Sequence, residues 1–461
     1  MKEKYDVVII GAGPAGIFAA LELIKNAGDK LSLLMIDKGG DISERLRTRD
    51  FLSGWGGAGA FSDGKITLSP DVGGWLTSIL SWKNVEELIT YVDTIWAELA
   101  PEAGYYPFDE DAVAELASRA RKYHLKLVPY KIRHLGSDYT PKALNRAKNI
   151  IEKYADIELH CSAESIVAEN GYVKGVILED DTFIEAKYVI AAPGRYGASW
   201  LVREISKLGI PLKINPVDIG VRVEINCEVM EELTSILYEP KLLYYSPTYD
   251  DIVRTFCVNP RGYVIKEKYE DVITTNGHAY ERKKSDNTNF ALLISSNFTE
   301  PFKDPISYGK HIARLANLLS GGSVIIQRLG DLKRGRRSTK ERLAKSIVEP
   351  TLDSAVPGDI SYVLPHRHLV GILEALKALD RLAPGLFSDH TLLYVAEVKF
   401  YSSRVDVTSE METKGVRNLF TIGDGAGISR GLAQASATGV LAARTILRRE
   451  FNKDYSHTPQ Q

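Results

Sequence analysis

The sequence predicts an α/β protein: a parallel sheet built on a glycine-turned βαβ unit, interrupted by a second, α+β domain. Three observations predict it. The apolar run Tyr5-Asp6-Val7-Val8-Ile9-Ile10 ends in glycine and leads into helical apolar spacing. A second strand, glycine turn and small-residue helix occupies Leu419 to Gly439, near the far end of the chain. Between them, residues 206 to 389 mix strand-like runs (Ile219–Ile225, Ala291–Ser295, Val324–Gln327) with helical ones (Ile306–Leu319, Leu369–Leu379).

The first unit carries chemistry. Gly11-Ala12-Gly13-Pro14-Ala15-Gly16 follows the first strand at once. Ile17, Phe18, Leu21 and Ile24 then share one helical side, and a second apolar run, Leu31 to Ile36, ends at Asp37 and Lys38. Gly11 permits a tight turn, Gly13 keeps side chains off a pyrophosphate, and Gly16 lets helix and strand pack closely. The helix N-terminus faces the phosphates, and Asp37 accepts hydrogen bonds from ribose hydroxyls. This spacing predicts a dinucleotide site but does not separate FAD from NAD.

Composition narrows the class. The 461 residues are 44% hydrophobic and 26% charged, an ordinary globular balance, and at about 150 residues per domain they suggest two or three domains. Lys+Arg 58 against Asp+Glu 60 leaves a net charge of −2, so no global field recruits nucleic acid or an anionic membrane. Cys161, Cys227 and Cys257 form no CxxC, which argues against zinc ribbons and cysteine-ligated clusters. The histidines show no metal spacing, so no metal is expected. The first strand-like run has no signal-type positive n-region, apolar h-region or cleavage site before it, and no apolar run approaches the ~18 residues of a membrane span. The expectation is a cytoplasmic protein with reduced thiols and no integral membrane association.

The far end selects the cofactor by resemblance. Leu419-Phe420-Thr421-Ile422, then Gly423-Asp424-Gly425, then the helix start at Gly431-Leu432-Ala433-Gln434 resembles the glutathione-reductase-type FAD superfamily. There the aspartate binds the ribityl chain and the helix start lies under the pyrimidine edge of the flavin, where its dipole favours negative charge on the reduced ring. A third signature, Ala191-Ala192-Pro193-Gly194-Arg195, resembles the superfamily's ATG-type motif. In the same resemblance the strand at Ala163 and Glu164 offers backbone to adenine. Asn170-Gly171 predicts a hairpin turn between Ala163–Ala168 and Tyr172–Leu178. No second GxGxxG is present, so a separate nicotinamide domain is not expected.

Further motifs resemble a functionally undefined family of FAD-dependent dehydrogenases, more distantly related to geranylgeranyl reductases. They include Phe51 to Leu68 (FLSGWGGAGAFSDGKITL), His134 to Asp138, Ala192 to Trp200, Asp218 to Glu224, Arg254 to Val264, Gln327 to Leu332, Glu397 to Arg404 and Gly423 to Val440. The resemblance covers nearly the whole chain. It implies a glutathione-reductase-type, three-layer β-β-α FAD domain, discontinuous over residues 1–75, 125–205 and 390–452. A helical insertion at 76–124 (Val85 to Leu99, Ala112 to Tyr123), a substrate or cap domain at 206–389 and a polar tail at 453–461 complete the partition.

Within these motifs, Trp55-Gly56-Gly57-Ala58-Gly59 is expected to contact the flavin, since glycines let backbone approach a flat ring. Four residues are candidate catalytic groups. Lys65, beside Asp63, could stabilise the anionic reduced flavin. Cys257 could act as a redox thiol, although a buried hydrophobe is the plainer reading. Members of the family often carry a second cysteine two positions on, where this chain has Asn259, and that argues against a required pair. Glu397 and Lys399, two apart and so on one strand face, could donate a proton near flavin N5 or form a structural ion pair. The basic run Lys333 to Lys340 is either a solvated loop or a grip for phosphate or carboxylate. The expected activity is hydride transfer between flavin N5 and an organic substrate, with reduction of a carbon–carbon double bond as one form. NAD(P)H, a ferredoxin or a quinone is the electron partner. The rival is a non-redox flavoprotein acting on RNA or as a partner-binding module, which the charge balance disfavours.

Overall fold

A computed structural model describes residues 1–280 and 283–453. All of the expected polar tail except Lys453 lies outside the described residues. The chain divides into two compact units. One comprises Met1–Tyr106, Tyr130–Asn215 and Ser402–Gln461, and the other Pro107–Pro129 and Pro216–Tyr401.

The first unit is the expected α/β core. Strands Ala155–Leu159, Leu33–Asp37, Lys4–Ile10 and Phe183–Ala191 lie side by side in parallel, and Leu419–Thr421 pairs in parallel with the end of Phe183–Ala191. Val7, Val8 and Ile9 are fully buried, as expected of a β-rich apolar run in a parallel sheet. The beginning of Phe183–Ala191 instead pairs antiparallel with Tyr172–Leu178, which pairs with Ala163–Glu169. Asn170 and Gly171 both have positive φ, 52° and 77°, as the two-residue hairpin turn requires. One long strand thus belongs to the parallel core and to the antiparallel meander. The fold class is a Rossmann-like α/β unit with an additional domain.

Helix Pro14–Ala27 packs along helix Leu432–Phe451, so the two ends of the chain meet. Gly439 makes this possible: a Cβ there would lie 2.1 Å from the Ala15 carbonyl oxygen. The second contact layer is helix Trp82–Leu99, which also packs on Leu432–Phe451.

The second unit is built on an eight-stranded sheet, antiparallel except where Val356–Pro357 joins Ile325–Arg328. Its central strand, Val217–Asn226, pairs with Asn287–Ser296 on one side and Leu392–Lys399 on the other. Ile219, Val221, Val223 and Ile225 are buried in the apolar cluster of the unit. The alternate residues Asp218, Arg222 and Glu224 are equally buried on the opposite face.

This partition corrects the expected one in three places, the first being residues 206–215, expected in the cap domain and found in the first unit. Residues 76–124 are not a separate insertion: helix Trp82–Leu99 belongs to the first unit, whereas Glu110–Arg121 and strand Leu125–Val128 belong to the second. Both helices are amphipathic, and periodicity does not reveal which core an apolar face joins. Strand Leu392–Lys399, assigned above to the FAD domain, lies inside the second unit's sheet, and the chain returns to the first unit at Ser402. Among the described residues no helix is long and apolar enough to cross a membrane.

Candidate functional site

The glycine turns of the first unit converge. Gly11 has φ 105°, and a Cβ on it would lie 2.1 Å from the Ala192 carbonyl oxygen. The Ala192 amide donates to the Ile10 carbonyl at 2.7 Å, so the first strand and the ATG-like strand turn together. A Cβ on Gly425 would come 2.6 Å from the Gly194 carbonyl oxygen, and one on Gly423 2.9 Å from Ala15 Cβ. The N-terminal fingerprint, the Ala191–Gly194 turn and the Gly423-Asp424 turn therefore form one continuous neighbourhood, though they are far apart in sequence.

The fingerprint glycines differ in role. A Cβ on Gly16 would strike the Gly11 carbonyl oxygen at 2.0 Å, so close helix–strand packing requires this glycine. A Cβ on Gly13 would meet only Gly57 Cα, at 3.9 Å. Gly13 thus faces open space at the head of a helix that starts with Pro14 and has no side-chain cap. Free amides at such an end bind an anion. This fits a pyrophosphate.

Asp37 holds the loops around that end. Its Oδ2 accepts from the Ala12 amide (2.8 Å), and its Oδ1 accepts from Gly39 (3.0 Å) and Gly54 (2.7 Å). Three backbone donors leave little accepting capacity for ribose, so Asp37 acts first as an organiser of the glycine loops. The Cys161 amide donates to the Asp37 carbonyl at 2.9 Å, bringing the Ala163–Glu164 strand start beside it. Glu164's carbonyl already accepts from Trp200 Nε1 at 2.9 Å. Lys38 Nζ lies 4.0 Å over the Tyr196 ring, and both border a cavity of about 360 Å³ with Arg45, Glu44 and His160.

The glycine-rich loop after residue 53 departs from expectation at its tryptophan. Trp55 is fully buried and donates Nε1 to the Leu144 carbonyl at 2.9 Å, so its indole is an internal anchor and is not available to a flavin. Gly57 and Gly59 do approach the fingerprint: a Cβ on Gly57 would lie 3.1 Å from Gly13 Cα, and one on Gly59 would press on Pro14 and Leu432. Ala58, half-buried, sits in the same turn. Arg45, which the sequence reading did not single out, sets this loop. Its guanidinium is buried and donates to the carbonyls of Asp50 (3.1 Å), Trp55 (2.5 Å) and Gly57 (2.8 Å). The only signal was its place in the basic stretch before the loop.

At the C-terminal turn, Gly423 donates its amide to Thr438 Oγ1 at 3.0 Å, and Asp424 accepts from Ser429 Oγ at 2.7 Å. Burial raises the Asp424 carboxyl above the usual range, opposed by the nearby Arg195 and the Ser429 bond. Gly431 opens helix Leu432–Phe451 without a side-chain cap, so a second free helix end, with Leu432 and Ala433 in its first turn, lies in this neighbourhood. Gln434 is fully buried and internally committed: Nε2 donates to Pro70 (3.1 Å) and Val72 (2.9 Å), and Oε1 accepts from Leu76 (3.3 Å). It staples the 70–76 loop and does not face a cofactor.

The four candidate catalytic residues do not form one group. Lys65, in the first unit, pairs with Asp63 at 2.9 Å. Burial would raise the Asp63 carboxyl, yet Lys65 and His134 hold it below its ordinary value, so the lysine charge is locally neutralised. Cys257, Glu397 and Lys399 lie in the second unit. Glu397 is fully buried, accepting from Arg222 Nη2 (2.7 Å) and Nε (3.2 Å), Thr275 Oγ1 (2.8 Å) and Lys399 Nζ (3.0 Å). Burial would raise its carboxyl; Arg222 and Lys399 hold it down. A carboxylate so saturated is no proton donor, which removes it as the acid near flavin N5. Lys399 also reaches Glu267 at 3.4 Å.

Cys257 occupies a bulge with φ 48°, and its carbonyl accepts from Arg222 Nη1 (2.9 Å) and Asn259 Nδ2 (2.8 Å). Asn259 Nδ2 also lies 3.5 Å from Cys257 Sγ. The departure from a second cysteine thus places an amide where that residue stood. The basic run is largely spent internally: Lys333 and Arg334 share Asp389, and Arg336 pairs with Asp331.

The class this geometry defines is an α/β protein with a Rossmann-like unit and an added antiparallel-sheet domain. Residues 216–399 match the family model described as "FAD-dependent protein, C-terminal domain-like". The chain is 25% identical over 483 residues to an uncharacterized protein of Clostridium beijerinckii, spanning 97% of this chain and 81% of that one. Among solved structures it is similar to L-proline dehydrogenase from P. horikoshii (11% identity, 99% and 96% of the two chains, TM-score 0.45). It is also similar to pyridoxine 4-oxidase from Mesorbium loti (12% identity, 98% and 100%, TM-score 0.45).

Proposed function

We propose that the protein is an FAD-dependent oxidoreductase acting on an organic substrate. The observation that carries this reading is the convergence of the fingerprint, the Gly57 loop and the Gly423-Asp424 turn around Ala15, which supports one extended nucleotide ligand and not two separate turns. The match of residues 216–399 to an FAD-dependent family model supports FAD over NAD.

Gly13 and the free helix end at Pro14 hold the pyrophosphate, Asp424 the ribityl hydroxyls, and the helix end at Gly431 the ring edge that gains negative charge. Bound FAD supplies two-electron transfer at flavin N5. The chain's own part is orientation and charge: Asp37 and Arg45 fix the loops, and the Asp424 carboxylate accepts from ligand hydroxyls. No observation favours double-bond reduction or the non-redox RNA-binding alternative, and neither is kept.

The test is anaerobic titration of the purified protein with dithionite, NADH and NADPH while the flavin absorption is followed. A bound flavin that bleaches with dithionite and reoxidises with an added acceptor is expected. Protein without flavin at any stage of purification, or flavin that no donor reduces, overturns the reading. Bleaching by NADPH or NADH identifies the nicotinamide as donor; bleaching by dithionite alone sets both nicotinamides aside.

A further inference from the structure

The polar face of the second unit's sheet carries two arginines in opposite states, Arg222 fully buried and Arg254 half-buried. Arg222 is saturated. Its five N–H donors meet Glu397 twice, the Cys257 carbonyl, Asn289 Oδ1 at 3.4 Å and Asn276 Oδ1 at 3.2 Å. The hairpin Tyr263–Tyr269 and Val272–His278 covers this end of the face through Thr275 and Asn276.

Arg254 stands at the other end, and only its Nη2 is engaged. That nitrogen donates to Asp218 Oδ2 and, at 3.0 Å, to Tyr401 Oη. Among the described residues, Nε and both protons of Nη1 meet no acceptor. The guanidinium lies 5.0 Å over the Phe256 ring, and its side chain keeps 18% of its surface exposed. Asp218 is fully buried and takes a further bond from Ser295 Oγ, so the anchor is rigid. A half-buried cation whose position is fixed on one side and whose donors are open on the other is an anion receptor. These donors are open to solvent, and an anionic acceptor exchanges water there for charge-assisted hydrogen bonds.

We propose that Arg254, positioned by Asp218 and Tyr401 and stacked on Phe256, binds a carboxylate of the substrate through its Nη1 and Nε donors. This rests on the oxidoreductase reading and names the substrate class: an organic acid. Asp218 and Tyr401 are positioning residues, since they act through Arg254. Arg222 is excluded from the role because it has no free donor.

Calorimetric titration of the purified holoprotein with benzoate, benzamide and inorganic phosphate tests it. Benzoate should bind, neutral benzamide should not, and phosphate should bind more weakly. Arg254→Met and Arg254→Lys should each raise the benzoate Kd by at least about tenfold, the loss expected for a charge-assisted hydrogen bond. The lysine variant keeps the pair with Asp218 and so guards against misfolding of the methionine variant; flavin content and Tm verify both. Absence of benzoate binding, equal binding of benzamide, tighter binding of phosphate, or an unchanged Kd in folded Arg254→Lys overturns the assignment. Binding heat does not depend on flavin reduction, so failure here is distinguishable from failure of the redox reading.

Discussion

At the scale of single residues, buried charge decides which groups are free to act. Glu397 and Arg222 are a pair with no exposed surface. Removing one partner strands the other, so Glu397→Gln should cost about 3–5 kcal/mol of unfolding free energy in a denaturant titration. A cost near zero would show that the pair is hydrated. His368 tests the same physics by pH. It is buried, its Nε2 lies 3.0 Å from Ser296 Oγ, and burial first of all lowers its pKa from 6.5 to about 4, opposed by Asp251 and reinforced by Arg367. The unfolded chain therefore binds a proton that the folded one refuses. Stability should fall as pH drops from 6.5 towards about 4, by about 3 kcal/mol, and then level off. His368→Gln should flatten that window in pH-resolved thermal melts; an unchanged slope would assign the loss to other groups.

At the scale of elements, the cofactor neighbourhood depends on helices Pro14–Ala27 and Leu432–Phe451 lying almost backbone to backbone. A methyl at position 439 would sit 2.1 Å from the Ala15 oxygen, and backbone cannot swing aside as a side chain can. Gly439→Val should therefore lower Tm and release FAD together, at a cost of at least about 1–3 kcal/mol. Gly13→Val behaves differently. Its side chain meets open space in the chain itself, so the fold should survive while the pyrophosphate is displaced, giving folded, colourless protein. Yellow Gly13→Val protein at full stoichiometry would contradict the pyrophosphate placement.

At the scale of the whole molecule, the first unit is assembled from three separate stretches of chain. No N-terminal fragment contains it. A chain ending at Tyr401 keeps the fingerprint but lacks strand Leu419–Thr421, the Gly423-Asp424 turn and helix Leu432–Phe451. Such a fragment should bind no FAD and should expose the apolar face of helix Pro14–Ala27, read as loss of flavin absorbance and as aggregation. Flavin retained by the fragment at native stoichiometry would move the site away from the C-terminal turn.

The local grammar of the fold was legible in the amino-acid order. The strand before Gly11, the positive-φ hairpin at Asn170-Gly171, and the need for glycine at 11 and 16 are properties of a few consecutive residues, so periodicity and steric rules reach them. The placement of Glu397 and Lys399 on one strand face was legible for the same reason. What they do was not, because Arg222 joins Glu397 from 175 residues away. Trp55 shows the same limit: its glycine neighbours mark a loop, but only packing against Leu144 turns the indole inward. The split of residues 76–124 between two cores and the contrast between saturated Arg222 and open Arg254 were likewise decided in three dimensions. Hydrogen-bond saturation is counted over every neighbour in space, and chain order specifies only the nearest of them.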